Sequence, residues 1–236
     1  MKNSIMIKKL VGIATLVSLV VGLQFLSNYV TFGSVSITLA LIPIAVGAIL
    51  YGPIVGMILG AIMGIVVIVA PSTLAYFMPV NPAATIILCI LKTGFAGLVS
   101  GLIFKLFANI AKKKNDKKSK NTLFAVGVIL AGLVIPIINT GLFIVGASVF
   151  FTSIYGNAMA VIKAVIGTNF AIEFAVSVVL SPVLVYLIRV LIYQNDLGFT
   201  KDFDAFMIEN ENKKSIDDLI EEEKKKYSKD KEQYNN

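Results

Sequence analysis

The sequence lacks several residues on which common catalytic and metal sites depend. It contains no histidine, no tryptophan and one cysteine, Cys89. These counts exclude a disulfide within the chain, a zinc site of the His/Cys type and a histidine-based catalytic triad. There is also no Gly-x-x-x-x-Gly-Lys-Ser/Thr phosphate loop, so the chain cannot be an ATPase by that route. We therefore predict a protein that is not an enzyme and that uses no metal ion or cofactor.

Charge is scarce as well, and it is unevenly distributed. Charged residues make up 15% of the 236 residues, against about 25% in a soluble domain. Apolar runs of about 20 residues, the length that crosses a bilayer, fill most of the chain between Leu10 and Leu191. The pattern predicts an all-α integral membrane protein with six transmembrane helices, over residues 9–29, 35–51, 53–71, 83–110, 122–151 and 164–193.

The positions of lysine and arginine predict how these six helices are oriented. Lysines precede the first span, fill the segment KKKNDKKSK between the fourth and fifth spans, and follow the sixth span. With six spans all of them fall on one side of the membrane, and only Lys163 falls on the other. Because cytoplasmic loops carry an excess of Lys and Arg, both termini are predicted to be cytoplasmic, in a multi-pass protein of the cell membrane. The lysine-rich loop is interpreted as a topology signal that contacts anionic lipid, not nucleic acid, and residues 196–236 as a charged cytoplasmic tail.

Small residues recur at every fourth position in two of the predicted spans. In lipid, helices gain little from burying apolar surface, so close approach of their backbones becomes the main source of attraction. A spacing of four places such residues on one face of a helix. The stripe in the third span, which we expect to pack against another helix of the same chain, consists of Gly52, Gly56, Gly60 and Gly64. The stripe in the first span, for which docking of another protein is the alternative, consists of Ala14, Ser18 and Gly22.

Polar residues inside the apolar runs point to a binding site. Lys92 and Glu173 are the two charges deep within spans, and each costs roughly 2.5–3.5 kcal/mol there unless it is paired or hydrated. The two could form a buried ion pair, or they could line a hydrated pocket and contact a ligand. Neutral polar residues gather toward the same outer half of the predicted bundle, where they suit an oriented polar ligand: Tyr76, Asn81, Asn139 and Asn169.

With these residues in view, the chain resembles the substrate-binding (S) components of energy-coupling factor (ECF) transporters over residues 8–193. The resemblance lies in the size, in the six predicted spans and in the segment ITLALIPIAVGAILYGPIVGMILGAIMG, which is similar to the P…GxxxxGPxxGxxxG stretch of that family. The segments NPAATIILCILKTGFAGLVSG, PIINTGLF and GTNFAIEF are also similar to family segments.

The resemblance implies capture of a vitamin or vitamin-like solute on the outer side of the membrane. Delivery inward would then depend on a transmembrane coupling protein and two ATPase subunits. It implies substrate-binding roles for the residues of the outer half already named and for Lys163, and a docking role for the first-span stripe, in which Ser18 replaces a more usual alanine. A carboxylate partner for Lys92 favours pantothenate, with riboflavin and folate as alternatives.

Two further interpretations follow from the same residues. In a stand-alone secondary transporter of a small solute, Lys92 and Glu173 would carry the coupling charge, although the sequence contains no evident inverted repeat of the kind many such carriers show. A purely structural or assembly protein would bind no small molecule at all.

Overall fold

The structure is a computed structural model that describes residues 2–29, 31–32, 35–36, 38–114, 116–156 and 170–195. Most of these residues are helical. The helices are α1 (Lys2–Tyr29), α2 (Leu41–Tyr51), α3 (Pro53–Ile68), α4 (Pro82–Lys112), α5 (Lys117–Phe150), the one-turn α6 (Thr152–Tyr155) and α7 (Ala171–Asn195). A single π-helical turn, Thr73–Phe77, lies between α3 and α4. Two short strands, β1 (Thr31–Phe32) and β2 (Val35–Ser36), pair antiparallel between α1 and α2. Lys163, Asn169 and the predicted tail 196–236 lie outside the described residues.

Four of the described helices are long and apolar enough to cross a membrane. The apolar stretches are Lys9–Ser27, Pro82–Lys112, Lys118–Phe150 and Ala171–Leu191. α2 and α3 have 11 and 16 residues, so at 1.5 Å per residue they reach only about 16 Å and about 24 Å, short of a hydrocarbon core roughly 30 Å thick. The molecule is therefore a helical membrane protein with four candidate spans, and the predicted second and third spans are shorter than a full crossing.

The second predicted span begins later than the hydropathy pattern indicates. Helix α2 starts at Leu41, and Val35–Ser36 forms a strand instead. The register pairs Thr31 with Ser36 and Phe32 with Val35. The residues VSIT at the start of the predicted span are largely β-branched, and such residues favour extended backbone. Hydropathy alone does not distinguish an apolar strand from the first turn of an apolar helix.

Helix α2 lies in the centre of the bundle. All of its residues are buried except Ile42 and Tyr51, and it packs against α1, α3, α4, α5 and α7. A helix that is apolar on every side is stable only when it is enclosed on every side. The outward faces of the surrounding helices carry exposed aliphatic side chains, such as Val145, Val149 and Val179, as expected for a surface in contact with lipid.

Helices α3 and α4 approach each other closely enough for their backbones to touch. Three α3 glycines, one turn apart, form the contact: Gly56, Gly60 and Gly64. A Cβ atom at these positions would lie 2.5, 2.1 and 2.5 Å from the carbonyl oxygens of Gly97, Thr93 and Cys89, respectively. As the α3 residue number rises by four, its α4 partner falls by four, so the two helices run antiparallel. This is the close backbone approach that small residues permit in membranes.

Gly52 serves a different purpose from the other three glycines of its stripe. The sequence pattern predicted that it packs, but its Cβ position meets no atom within 4 Å. Its φ of 98° lies in a region that L-residues with side chains rarely adopt. Gly52 is the one residue between α2 and α3, and Pro53 begins α3, where its missing N–H leaves no hydrogen bond unmade. Gly52 therefore reverses the chain between two helices.

Candidate functional site

A cavity of about 180 Å³ lies within the bundle, between α1, α3, α4, α5 and α7. It is lined by Thr85 to Lys92 near the start of α4, by Asn139 to Phe143 in the second half of α5, and by Glu173 near the start of α7. The lysine-rich loop joins the opposite ends of α4 and α5. The cavity therefore lies in the half of the bundle remote from that loop. Its polar lining consists chiefly of Gln24, Thr38, Lys92, Asn139, Thr140 and Glu173.

Both charges singled out in the sequence line this cavity, each with a partner of its own. The hydroxyl of Thr38 donates a hydrogen bond to Oε1 of Glu173, and Glu173 is 8% exposed. The ammonium of Lys92 lies 5.3 Å from the centroid of the Phe143 ring, a distance at which a cation is attracted to an aromatic face. Within the described residues, the direct contacts of Lys92 and Glu173 are thus with Phe143 and Thr38, and the two opposite charges attract each other at longer range. Both charged groups remain available to a molecule in the cavity.

Asn139 adds a buried acceptor whose hydrogen bond is not made within the described part of the chain. The residue is 5% exposed, it lines the cavity, and its Oδ1 has no hydrogen-bond partner there. Leaving a buried acceptor unpaired costs about 1–3 kcal/mol. Pro136, one turn earlier in α5, has no N–H for the carbonyl of Gly132. This part of α5 is therefore unusually rich in polar groups that the helix itself does not satisfy.

Three phenylalanines form an aromatic wall on one side of the cavity. The ring of Phe77 meets the ring of Phe143 edge-on at 5.7 Å between centroids, and that of Phe151 at 5.2 Å. All three residues line the cavity. Edge-to-face pairs at these distances are favourable beyond the area that they bury. The cavity thus joins an apolar wall to a wall that carries an ammonium, a carboxylate and an amide.

The segment between α1 and α2 is attached to the bundle by side-chain hydrogen bonds. Thr38 binds Glu173 of α7, and the backbone N–H of Leu39 donates to Oγ of Ser27 at 3.3 Å. Ser27 Oγ in turn donates to the carbonyl of Leu23 at 2.7 Å. The position of Thr38 therefore depends on the same carboxylate that lines the cavity.

A protein-family model matches most of the chain. A family model for the substrate-specific component of ECF transporters matches residues 8–185. The chain belongs to this family. S components are transport proteins rather than enzymes, so the expectation that the chain has no catalytic activity is confirmed, as is that of a membrane protein that binds a substrate for transport. No curated protein and no solved structure matches the chain.

Two residues predicted to contact the substrate of this S component lie elsewhere in the structure. Asn81 is the N-cap of α4, where its Oδ1 accepts a hydrogen bond from the backbone N–H of Ala84 at 3.1 Å, and it is not among the residues that line the cavity. Tyr76 is 64% exposed on the π-helical turn, next to Phe77, which does line the cavity. An Asn before Pro at the start of a long apolar run is a typical helix cap. The side chain of Asn81 thus serves to begin α4.

Several residues that line the cavity of the S component are absent from the sequence prediction. On α4, helical periodicity provides a signal, because Thr85 and Cys89 lie seven and three residues before Lys92 and so share its face. On α5, Phe143 lies four residues after Asn139 and shares its face, whereas Thr140 is the next residue along the helix. Thr38, Phe77 and Phe151 have no comparable signal, because they come from a connecting segment, a π-helical turn and the residue after α5.

The first-span stripe of the S component lies on the outward face of α1. Ala14, Ser18 and Gly22 are all exposed, and a Cβ at Gly22 would meet nothing within 4 Å. The hydroxyl of Ser18 donates to the carbonyl of Ala14 at 3.1 Å, so its polar group is satisfied within the helix. This face is therefore smooth and makes no packing contact at Gly22 within the described chain.

Proposed function

We propose that this S component captures a small, carboxylate-bearing vitamin from the outer side of the cell membrane and delivers it inward with an ATP-driven module. The observation that carries the proposal is the cavity itself. It brings together the ammonium of Lys92, the carboxylate of Glu173 and the amide oxygen of Asn139, which has no hydrogen-bond partner among the described residues. Polar groups at this depth are costly in an empty bundle, and a bound polar solute would offset that cost.

Among the candidate vitamins, the lining favours pantothenate over riboflavin or folate. Pantothenate has one carboxylate, which matches Lys92, and hydroxyl and amide N–H donors, which match the acceptors on Asn139 and Glu173. The cavity of about 180 Å³ is small beside the roughly 300–1,000 Å³ of drug-sized ligand sites. A large flat ring system is therefore the poorer fit.

For the membrane, we propose six segments with both termini in the cytoplasm. Four helices long enough to span the membrane support this proposal, and α3 runs antiparallel along α4 for three turns, as a further membrane segment would. Helices α2 and α3 join through the single residue Gly52, so the chain enters the membrane along α2 and returns along α3 to the side on which it started. The pair therefore leaves the predicted topology unchanged, with both termini on one side, whether or not each helix crosses the membrane fully. The lysine-rich loop assigns that side to the cytoplasm, and the cavity then lies in the outer half.

Binding is tested by purifying the full chain in mild detergent and measuring pantothenate affinity by isothermal titration calorimetry. Mass spectrometry of the co-purified small molecule identifies the natural ligand independently. We expect Lys92→Met and Glu173→Gln each to weaken binding at least about tenfold, since each removes a charged partner worth about 1.5–3 kcal/mol. The matched control is Lys105→Met, which removes an exposed lysine far along the same helix. Unchanged affinity in both cavity variants would overturn the assignment of the site.

The partners proposed from the family are a transmembrane coupling protein and two ATPase subunits, with the exposed stripe Ala14, Ser18 and Gly22 as the docking face. Ala14→Trp is expected to abolish co-purification of the coupling protein. Leu19→Trp places the same side chain at an exposed residue about 100° around α1 from Ser18, beside the stripe but outside it, and is expected to leave co-purification intact. Uptake that persists without the ATPases and collapses with an uncoupler would instead indicate an ion-coupled carrier.

A further inference from the structure

A second concave surface lies at the end of the bundle opposite the cavity. This surface, called here the basic groove, has a volume of about 700 Å³ and is formed by the start of α5 and the last turns of α7. Its polar lining consists of Asp116, Lys118, Asn121, Thr122 and Arg189. The groove has no part in the substrate cavity, with which it shares no residue.

Arg189 is held in place by an aromatic ring. Its guanidinium carbon lies 5.4 Å from the centroid of the Phe124 ring, and Phe124 is buried and meets Phe104 edge-on at 6.3 Å. A guanidinium stacked on a fixed ring loses less freedom when it binds a further group. Arg189 is itself exposed, so within the described part of the chain its N–H groups can reach the two oxygens of a phosphate.

The acidic residue in the groove is already engaged by its own helix. The carboxylate of Asp116 accepts hydrogen bonds from the backbone N–H of Ser119 at 2.9 Å, from the Ser119 hydroxyl at 2.9 Å and from the backbone N–H of Lys118 at 3.3 Å. These bonds hold the pKa of Asp116 below its usual value. Asp116 caps α5, and the Lys118 and Arg189 side chains remain for an external anion.

The groove lies where two candidate membrane spans end. The apolar stretch of α5 begins at Lys118, and that of α7 ends at Leu191, two residues after Arg189. One turn or two deeper, the groove is lined by Ala125 and Val126. A surface that is cationic at its membrane boundary and apolar below matches a phosphate attached to acyl chains. A free phosphate ion has no apolar group that could contact Ala125 and Val126.

We infer that the basic groove binds the headgroup phosphate of an anionic phospholipid, with Lys118 and Arg189 as its cationic contacts. Anionic headgroups bind basic pockets between transmembrane helices in this way. The bound lipid would join α5 to α7 at the end of the bundle remote from the substrate. The inference does not depend on the identity of the transported solute.

The test is native mass spectrometry of the full chain in detergent, titrated with phosphatidylglycerol or with phosphatidylcholine. We expect tighter binding of phosphatidylglycerol, and a loss of about fivefold in that affinity for each of Lys118→Gln and Arg189→Gln, the factor expected for one cation beside an anionic headgroup. Lys114→Gln removes an exposed lysine of the same loop that does not line the groove, and it is expected to leave the affinity within about twofold of the wild type.

Three results would overturn the inference. An equal loss in Lys114→Gln would mean diffuse attraction by the loop, and displacement of the lipid by excess inorganic phosphate would mean a site for the free ion. Equal affinity for the two lipids would mean that the groove does not distinguish an anionic headgroup from a zwitterionic one. That result is expected if another segment of the chain already occupies the groove. Arg189→Lys keeps the positive charge but loses the planar guanidinium group. Partial recovery of phosphatidylglycerol affinity relative to Arg189→Gln therefore separates phosphate recognition from a folding defect.

Discussion

The contact between α3 and α4 makes a quantitative prediction for Gly60→Ala. The new Cβ would lie 2.1 Å from the Thr93 carbonyl oxygen, 2.7 Å from the Thr93 carbonyl carbon and 3.0 Å from the Gly94 Cα. All three are backbone atoms of a helix, so no side-chain rotation relieves the clash. Reaching even 3.0 Å requires the helices to separate by about 1 Å, and such overpacking costs about 1–3 kcal/mol. At about 2–4 °C per kcal/mol for a chain of this size, Tm should fall by roughly 2–12 °C.

The chain supplies its own probe for this measurement. Cys89 is its one cysteine and is 7% exposed, so a maleimide dye that fluoresces on reaction with a thiol reports unfolding. The matched control is Gly141→Ala in α5, where an added Cβ meets nothing within 4 Å; it should melt at or slightly above the wild-type temperature, because alanine is the better helix former. If Gly60→Ala melts with the wild type, the backbones of α3 and α4 do not touch and the reasoning fails.

Three further predictions concern the cavity. Asn139→Leu should raise Tm of the ligand-free protein, because it removes a buried amide oxygen that has no hydrogen-bond partner in the described part of the chain. It should also weaken ligand binding at least about tenfold, and a fall in both Tm and affinity would contradict the assigned role. Saturating ligand should slow the reaction of Cys89 with a small thiol reagent in the native protein, since Cys89 lines the cavity, and equal rates would place the ligand elsewhere. Thr38→Val keeps the side-chain shape but removes the hydroxyl that donates a hydrogen bond to Glu173, so stopped-flow measurements should show faster ligand release. An unchanged release rate would mean that this hydrogen bond does not restrain the site.

The helical class of the fold follows from the sequence, whereas the lengths of two elements do not. Apolar runs identify α1, α4, α5 and α7 because these helices are apolar over a full membrane thickness. The run from 35 to 71 is equally apolar, but it contains a strand, a left-handed glycine at Gly52 and two short helices. Burial inside the bundle and exposure to lipid favour the same side chains, so hydropathy cannot separate a central helix such as α2 from a span.

The candidate site is partly predictable for a related reason. Lys92, Glu173 and Asn139 stand out because ionic and amide groups are rare in apolar runs, and all three line the cavity. The aromatic wall does not stand out, because the chain has 15 phenylalanines and only the packing of α4, α5 and the π-helical turn brings Phe77, Phe143 and Phe151 together. The sequence does not show whether a polar loop residue such as Asn81 caps a helix or binds a solute, because both roles require the same side-chain groups.

The backbone contact between α3 and α4 also limits how a solute can enter. Two helices held together along three turns are expected to move as one rigid unit. Met63 and Val67 of α3 and Lys92 of α4 form part of the cavity wall. Packed surfaces of this kind slide or rotate as units and do not stretch. Among the described residues, the cavity wall outside α3 and α4 includes the contact between the Thr38 hydroxyl and the Glu173 carboxylate of α7, and we expect a passage to the exterior to open there.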